Sequence, residues 1–214
     1  MIKKHLKQLI ITSIVILLPI IAGVVLWDKL PDKLPIHWNI NNEVDGYASK
    51  PFFVFGFPLI MVALQWLCVL ATYADPKKQN YSDKVFSLIL WLIPALNLVL
   101  LTITYLTTSG LNVKMDMIMP VFMGLLFAII GNYLPKCKQS YTIGIKLPWT
   151  LNSEENWNRT HRLAGWLWVA GGIIIIASGF ISSFVNSFII LISVLLIMVV
   201  APTVYSFILF KKGI

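Results

Sequence analysis

Charge is what this chain has least of. Of 214 residues only 12% are Asp, Glu, Lys or Arg, against roughly a quarter in soluble domains. A water-soluble fold cannot cover its surface with so few. A soluble enzyme, a DNA-binding domain and a disordered segment are each excluded as the whole protein. Histidine is also scarce, with three residues, His5, His37 and His161. No H-E-x-x-H or C-x-x-C spacing accompanies them, so neither a metal centre nor a cofactor is expected. The two cysteines, Cys68 in an apolar run and Cys137 in a polar stretch, fall at different depths and are not expected to pair. The formal charge is +8, yet no basic stretch is interleaved with stacking aromatics, so nucleic-acid binding is not expected. Residues 41–52 faintly resemble a calcium loop, but Phe52 stands where a bidentate Glu is needed.

What is present is apolar sequence. Hydrophobic residues make up 58% of the chain and the mean hydropathy is +0.81, the composition of an integral membrane protein. A spanning helix needs about 20 apolar residues. Six runs qualify: 9–27, 51–73, 85–108, 117–134, 163–183 and 184–210. The first is read as an uncleaved helix, because Trp27-Asp28-Lys29 follows it rather than a small-residue cleavage site. The last two are nearly continuous, so a tight turn is expected near Ser182, Ser183 and Asn186. The fold class expected is therefore all-α, a polytopic integral membrane protein with six transmembrane helices.

Lysine and arginine alternate between the connecting segments. Lys3, Lys4, Lys7, Lys77, Lys78, Lys84, Lys136, Lys138, Lys146, Arg159, Arg162, Lys211 and Lys212 fall on one side, and Lys29, Lys33, Lys50 and Lys114 on the other. Thirteen against four predicts that both termini are cytoplasmic. The chain then divides into an N-terminal region of four spans (1–134) with an outer loop at 28–50, a cytoplasmic loop at 135–162, and a two-span hairpin at 163–214. On this orientation the glycosylation triplet Asn158-Arg159-Thr160 is cytoplasmic and unused.

No Asp, Glu, Lys, Arg or His lies inside the six runs, which disfavours an ion-coupled carrier. Gln65, Asn97 and Asn132 are the notable polar residues there. They are read as interhelical hydrogen-bonding groups, with a substrate contact as the alternative.

Two connecting segments are more than linkers. The outer one holds Pro35-Ile36-His37-Trp38, which reads as extended, and Asp45-Gly46-Tyr47, a turn signal. It is either a hairpin with its aromatics at the lipid headgroups or an external recognition surface. The inner one carries Pro135, Tyr141, Gly144, Lys146, Pro148, Trp149 and Thr150. Asn152 then reads as a helix cap, with Glu155 three residues on and Glu155–Arg159 spaced for an i,i+4 ion pair. Trp157, His161 and Ala164 share a helix face with Thr160 beside it. The helix is read as interfacial, leading into the fifth span, either with Trp149 and Trp157 anchoring the loop at the headgroups or with the loop as a docking platform for a cytoplasmic partner. His161 and Glu155 fall on different helix faces, and no nucleophile motif accompanies them.

These two segments carry a resemblance. Gly131-Asn132 through Pro135, Ile143-Gly144-Ile145-Lys146, Pro148-Trp149-Thr150, Trp157 and Thr160-His161-Arg162 resemble the signature of the SdpI family of bacterial immunity proteins. Leu34-Pro35-Ile36-His37-Trp38, Asp45-Gly46-Tyr47 and Lys50-Pro51 resemble the small N-terminal domain of unknown function in the same family. Lys146-Leu147 stands where the family pattern suggests Arg-Thr. The resemblance implies a cell-membrane protein that protects a bacterium from a secreted toxic peptide without catalysis. It also implies signalling, by holding a cytoplasmic autorepressor at the membrane. Membrane lipid, the peptide and the repressor are the implied partners. Ile36, His37, Trp38, Asp45, Gly46 and Tyr47 would face the toxin. Asn132, Pro135, Tyr141, Gly144, Lys146, Pro148, Trp149, Thr150, Glu155, Trp157, Thr160, His161 and Arg162 would form the inner motif. The competing readings are a transporter or flippase of lipid-like molecules and a membrane hydrolase using His37 or His161.

Overall fold

The structure is a computed structural model and describes residues 2–39, 43–111, 113–181 and 184–214. These residues form seven α-helices and one two-stranded hairpin, in the order α1 (Ile2–Val25), β1 (Lys33–Trp38), β2 (Val44–Ser49), α2 (Phe57–Ala74), α3 (Asp83–Thr108), α4 (Met115–Tyr133), α5 (Pro148–Asn152), α6 (Glu154–Ile181) and α7 (Phe184–Lys211). Among the described residues, six helices are long and apolar enough to cross a membrane. They coincide with the six apolar runs. Expected boundaries shift by a few residues. α1 starts before the lysines at 3, 4 and 7 and stops at Val25, and one turn of π-helix at Phe52–Gly56 leads into α2. The π-helical turn falls ahead of Pro58, which has no N–H to give Val54. Ser182 and Ser183, where the last turn is expected, lie outside the described residues; α6 ends at Ile181 and α7 begins at Phe184.

Two compact units result, one of Met1–Ala74 with Phe86–Val113 and one of Asp75–Val85 with Lys114–Ile214. The segments 1–134, 135–162 and 163–214 divide the chain by topology, a different kind of partition.

In the first unit, α1, α2 and α3 are tied by polar side chains at proline breaks. Pro94 leaves the Leu90 carbonyl without its helical donor. Gln65 Nε2 supplies one at 2.9 Å and also donates to Thr12 Oγ1 at 2.7 Å. Asn97 Nδ2 donates to the Ile16 carbonyl at 2.9 Å, near Pro19. Gln65 and Asn97 are thus interhelical hydrogen-bonding groups, as the sequence suggests. Asn132 is not: it is exposed near the end of α4.

In the second unit, α4 and α6 cross at their glycines. A Cβ on Gly124 would meet the Gly172 carbonyl at 2.5 Å, and one on Gly165 would meet the Gly131 carbonyl at 2.9 Å. Gly124 and Gly131 lie seven residues apart, as do Gly165, Gly172 and Gly179. A seven-residue repeat of small residues keeps one seam facing the partner helix and lets the backbones approach.

Candidate functional site

The hairpin belongs to the first unit. β1 and β2 are antiparallel, with Leu34 opposite Ala48 and Trp38 opposite Val44, and the register is irregular around His37. Leu34 and Ala48 are buried with Leu30, Phe53, Val54, Leu101 and Tyr105, so one face is an apolar foot on the helix ends. Thr104 Oγ1 pins the strand from below by donating to the Pro35 carbonyl at 3.2 Å. Lys50 Nζ donates to the Leu30 carbonyl at 2.8 Å and the Trp27 carbonyl at 3.2 Å, which fixes the other end. The foot leaves Ile36 and Tyr47 48% and 57% exposed. His37 Nδ1 lies 2.5 Å from Asp45 Oδ1, both side chains in solvent. A Cβ on Gly46 would meet the His37 Cβ at 2.8 Å, so the strands pass closest where the sequence has glycine. The hairpin offered as one of the two sequence readings forms, with an apolar underside and an exposed Ile36–Tyr47–His37–Asp45 top. The tip at 40–42 lies outside the described residues.

The motif loop belongs to the second unit and is built from its interior outward. Trp157 and His161 stack at 4.0 Å between ring centroids. Trp157 Nε1 donates to the Cys137 carbonyl at 2.7 Å. His161 Nε2 accepts from the Ile145 N–H at 2.9 Å, so Nδ1 carries the proton and donates to the Trp157 carbonyl at 2.8 Å. Both ring nitrogens are therefore spent on backbone. Gly144 crosses this stack with φ +112°, and a Cβ there would lie 2.5 Å from His161 Nε2. Thr150 Oγ1 donates to the Ile145 carbonyl at 2.8 Å and accepts from the Leu147 N–H at 2.9 Å, which starts the short helix α5 at Pro148. Trp149 packs between Phe207 and Phe210 at 5.4 and 5.9 Å.

Two expectations are corrected here. Asn152 is the last residue of α5, and the cap of α6 is Ser153, whose Oγ accepts from the Asn156 N–H at 3.2 Å. The Trp157–Thr160–His161 face is neither a headgroup anchor nor an open platform. All three residues are buried: the chain from 137 to 145 folds over Trp157 and His161, and Thr160 Oγ1 donates to Asn156 Oδ1 at 3.1 Å, which also accepts from Ser206 of α7. What the motif exposes is Tyr141, Lys146, Pro148, Glu155, Arg159 and Arg162, with Pro135 and Asn132 at the end of α4. The Glu155–Arg159 ion pair forms at 2.5 Å.

Asp75 was not singled out in the sequence, yet it organises the loop. It is 2% exposed. Its carboxylate accepts from the Lys77 N–H at 2.7 Å, Tyr81 Oη at 2.5 Å, the Tyr141 N–H at 2.9 Å, and the Thr142 N–H and Oγ1 at 3.0 Å. Burial pushes its pKa up, but the donations from Tyr81, Lys77, Thr142 and Tyr141 outweigh burial and hold it below the ordinary carboxylate value. Gln139 completes the clamp, donating to the Thr150 and Leu151 carbonyls at 2.8 and 2.9 Å and accepting from Lys77 Nζ. Burial also pushes the Cys137 thiol up to about 11, so it is not a ready nucleophile. No group of three or more His, Cys, Asp or Glu side chains able to hold a metal occurs among the described residues.

Six long apolar helices, an anchored hairpin and a folded inter-helix loop define a multi-pass helical membrane protein with two structured non-spanning segments. The SdpI/YfhL protein family matches residues 136–206, and a domain of unknown function, DUF1648, matches residues 14–62. The chain is 30% identical over 213 residues to the immunity protein SdpI of Bacillus subtilis (strain 168), covering 97% of this chain and 98% of that one. The chain belongs to the SdpI/YfhL family and is a multi-pass cell-membrane protein. No solved structure matches it.

Proposed function

We propose that this protein is a membrane immunity protein that protects its cell from a secreted toxic peptide by binding rather than by catalysis. It also signals through its motif loop to a cytoplasmic repressor. The observation that carries the reading is the end-to-end similarity to an immunity protein; the hairpin and the motif loop both fall in the matched segments. The exposed Ile36, His37, Asp45 and Tyr47, with the half-buried Trp38 and Gly46, then face the toxin from outside. Tyr141, Lys146, Pro148, Glu155 and Arg162 present the inner output surface, while Trp157, Thr160, Thr150, Gly144 and His161 shape it from beneath. A non-catalytic role is supported by His161, whose ring nitrogens are both bonded to backbone.

Orientation is tested by single cysteines in a chain lacking Cys68 and Cys137. Ser49→Cys labels from outside intact cells and Ser153→Cys does not; the reverse pattern overturns the orientation. Catalysis is tested by mixing expressing cells with medium conditioned by a toxin-producing strain and then extracting the peptide. Binding predicts protection that saturates with protein copy number and peptide recovered at unchanged mass. Recovery of cleaved or modified peptide revives the hydrolase reading.

A further inference from the structure

One line of hydrogen bonds runs through the first unit, starting at the hairpin. Thr104 Oγ1 donates to the Pro35 carbonyl of β1 at 3.2 Å, and the adjacent Tyr105 Oη donates to the Pro19 carbonyl at 3.3 Å. Asn97 holds Ile16 at 2.9 Å, Gln65 holds Thr12 and Leu90 at 2.7 and 2.9 Å, and Gln8 Nε2 donates to Ser87 Oγ at 2.5 Å. Pro94 interrupts the ladder of α3 and frees the Leu90 carbonyl that Gln65 takes up, and Pro19 interrupts that of α1 within a turn of the Ile16 carbonyl held by Asn97. Asn97 is fully buried and its Oδ1 has no partner. Asn97 Oδ1 is therefore open to a donor that a second arrangement of α1 against α3 would bring to it. Packing continues the line at its hairpin end, where Tyr105 and Leu34 share one apolar cluster with Phe53 and Val54.

We infer that this column is a coupling device: the seat of the hairpin on Thr104 and Tyr105 sets the position of α1 against α3 at Asn97, and through it the Gln65 contact. When the hairpin lifts, the Thr104 and Tyr105 contacts open and α1 shifts against α3 until Asn97 Oδ1 gains a donor. The inference goes beyond the proposed function and is tested without any toxin, so its failure is distinct from failure of the immunity reading.

The experiment is backbone amide exchange on the full chain in lipid nanodiscs. Thr104→Val removes the hydroxyl that reaches Pro35 and keeps the side chain's volume. Thr107→Val is the control, because its hydroxyl bonds only the Ile103 carbonyl of its own helix, at 2.9 Å. Thr104→Val is expected to speed exchange at 10–16 and 86–92 by about tenfold. Leu90 lies about 20 Å along the helix from Thr104 at about 1.5 Å per residue. Adding Asn97→Leu is expected to abolish that transmitted increase. Should Thr104→Val fold poorly, Leu34→Val loosens the same seat by trimming one methylene. Exchange changes confined to one turn around the substitution, or equal changes with Thr107→Val, overturn the inference.

Discussion

Gly144 shapes the motif loop through the atom it lacks. At φ +112° an L side chain is strained, and a Cβ would press on His161 Nε2 and on Trp157 at 2.5 and 2.7 Å. Gly144→Ala is expected to cost about 2 kcal/mol or more from strain and overlap together, read as a lowered thermal midpoint in detergent; an unchanged midpoint contradicts the packing. Asp75 works by what it accepts. Asp75→Asn presents an NH2 group where N–H and O–H donors already point, and should cost about 1–3 kcal/mol. The pH sign follows from the lowered pKa. The unfolded carboxylate takes up its proton near 3.8, and the folded one only at lower pH. The stabilisation is therefore complete above that value and is lost as pH falls through the folded value. Acid denaturation should show this loss in the wild type and lack it in Asp75→Asn. Gly144 was readable from sequence as punctuation, but its reason was not, since His161 lies far along the chain. Asp75 was not readable at all: its partners Tyr141 and Thr142 are 66 and 67 residues away, and no local pattern announces such a contact.

Helices were the most legible level, because in a bilayer length and hydropathy are the physical requirement itself. The hairpin's extended piece was legible too, from Pro35, Asp45 and Gly46. Burial of the Trp157–His161 face was not. A helix pattern shows that one face is apolar without saying whether lipid or a returning loop covers it. The role of Gln65 was legible as a hydrogen bond, though its partner emerges only with the Pro94 break. That pairing predicts non-additivity. Gln65→Leu leaves the Leu90 carbonyl without a donor and should destabilise by about 1–3 kcal/mol. Pro94→Ala restores the helical amide to that carbonyl. In the Pro94→Ala background the cost of Gln65→Leu should fall by about 1 kcal/mol. Equal costs in both backgrounds, measured by urea or thermal unfolding in detergent, contradict the assignment.

At the scale of the whole molecule, the two non-spanning segments present different surfaces. The hairpin stands on an apolar foot and exposes a mixed aromatic and charged top, suited to meeting a peptide at a membrane surface. The motif loop closes over Trp157 and His161 and exposes charge and Tyr141. Thr150, Trp157, Thr160 and His161 of the family-like signature are therefore buried, and they read as the architecture that presents its exposed residues. The most direct measurement of the central claim is survival of a strain lacking this gene in medium conditioned by its parent strain. The account predicts that the deletion strain is killed, that the wild-type gene restores growth, and that Trp38→Ala restores it only at lower toxin dose while inserting normally. A contact worth about 2 kcal/mol at a binding aromatic corresponds to a dose shift of about thirtyfold. Unimpaired growth of the deletion strain in medium that kills unrelated sensitive cells contradicts it.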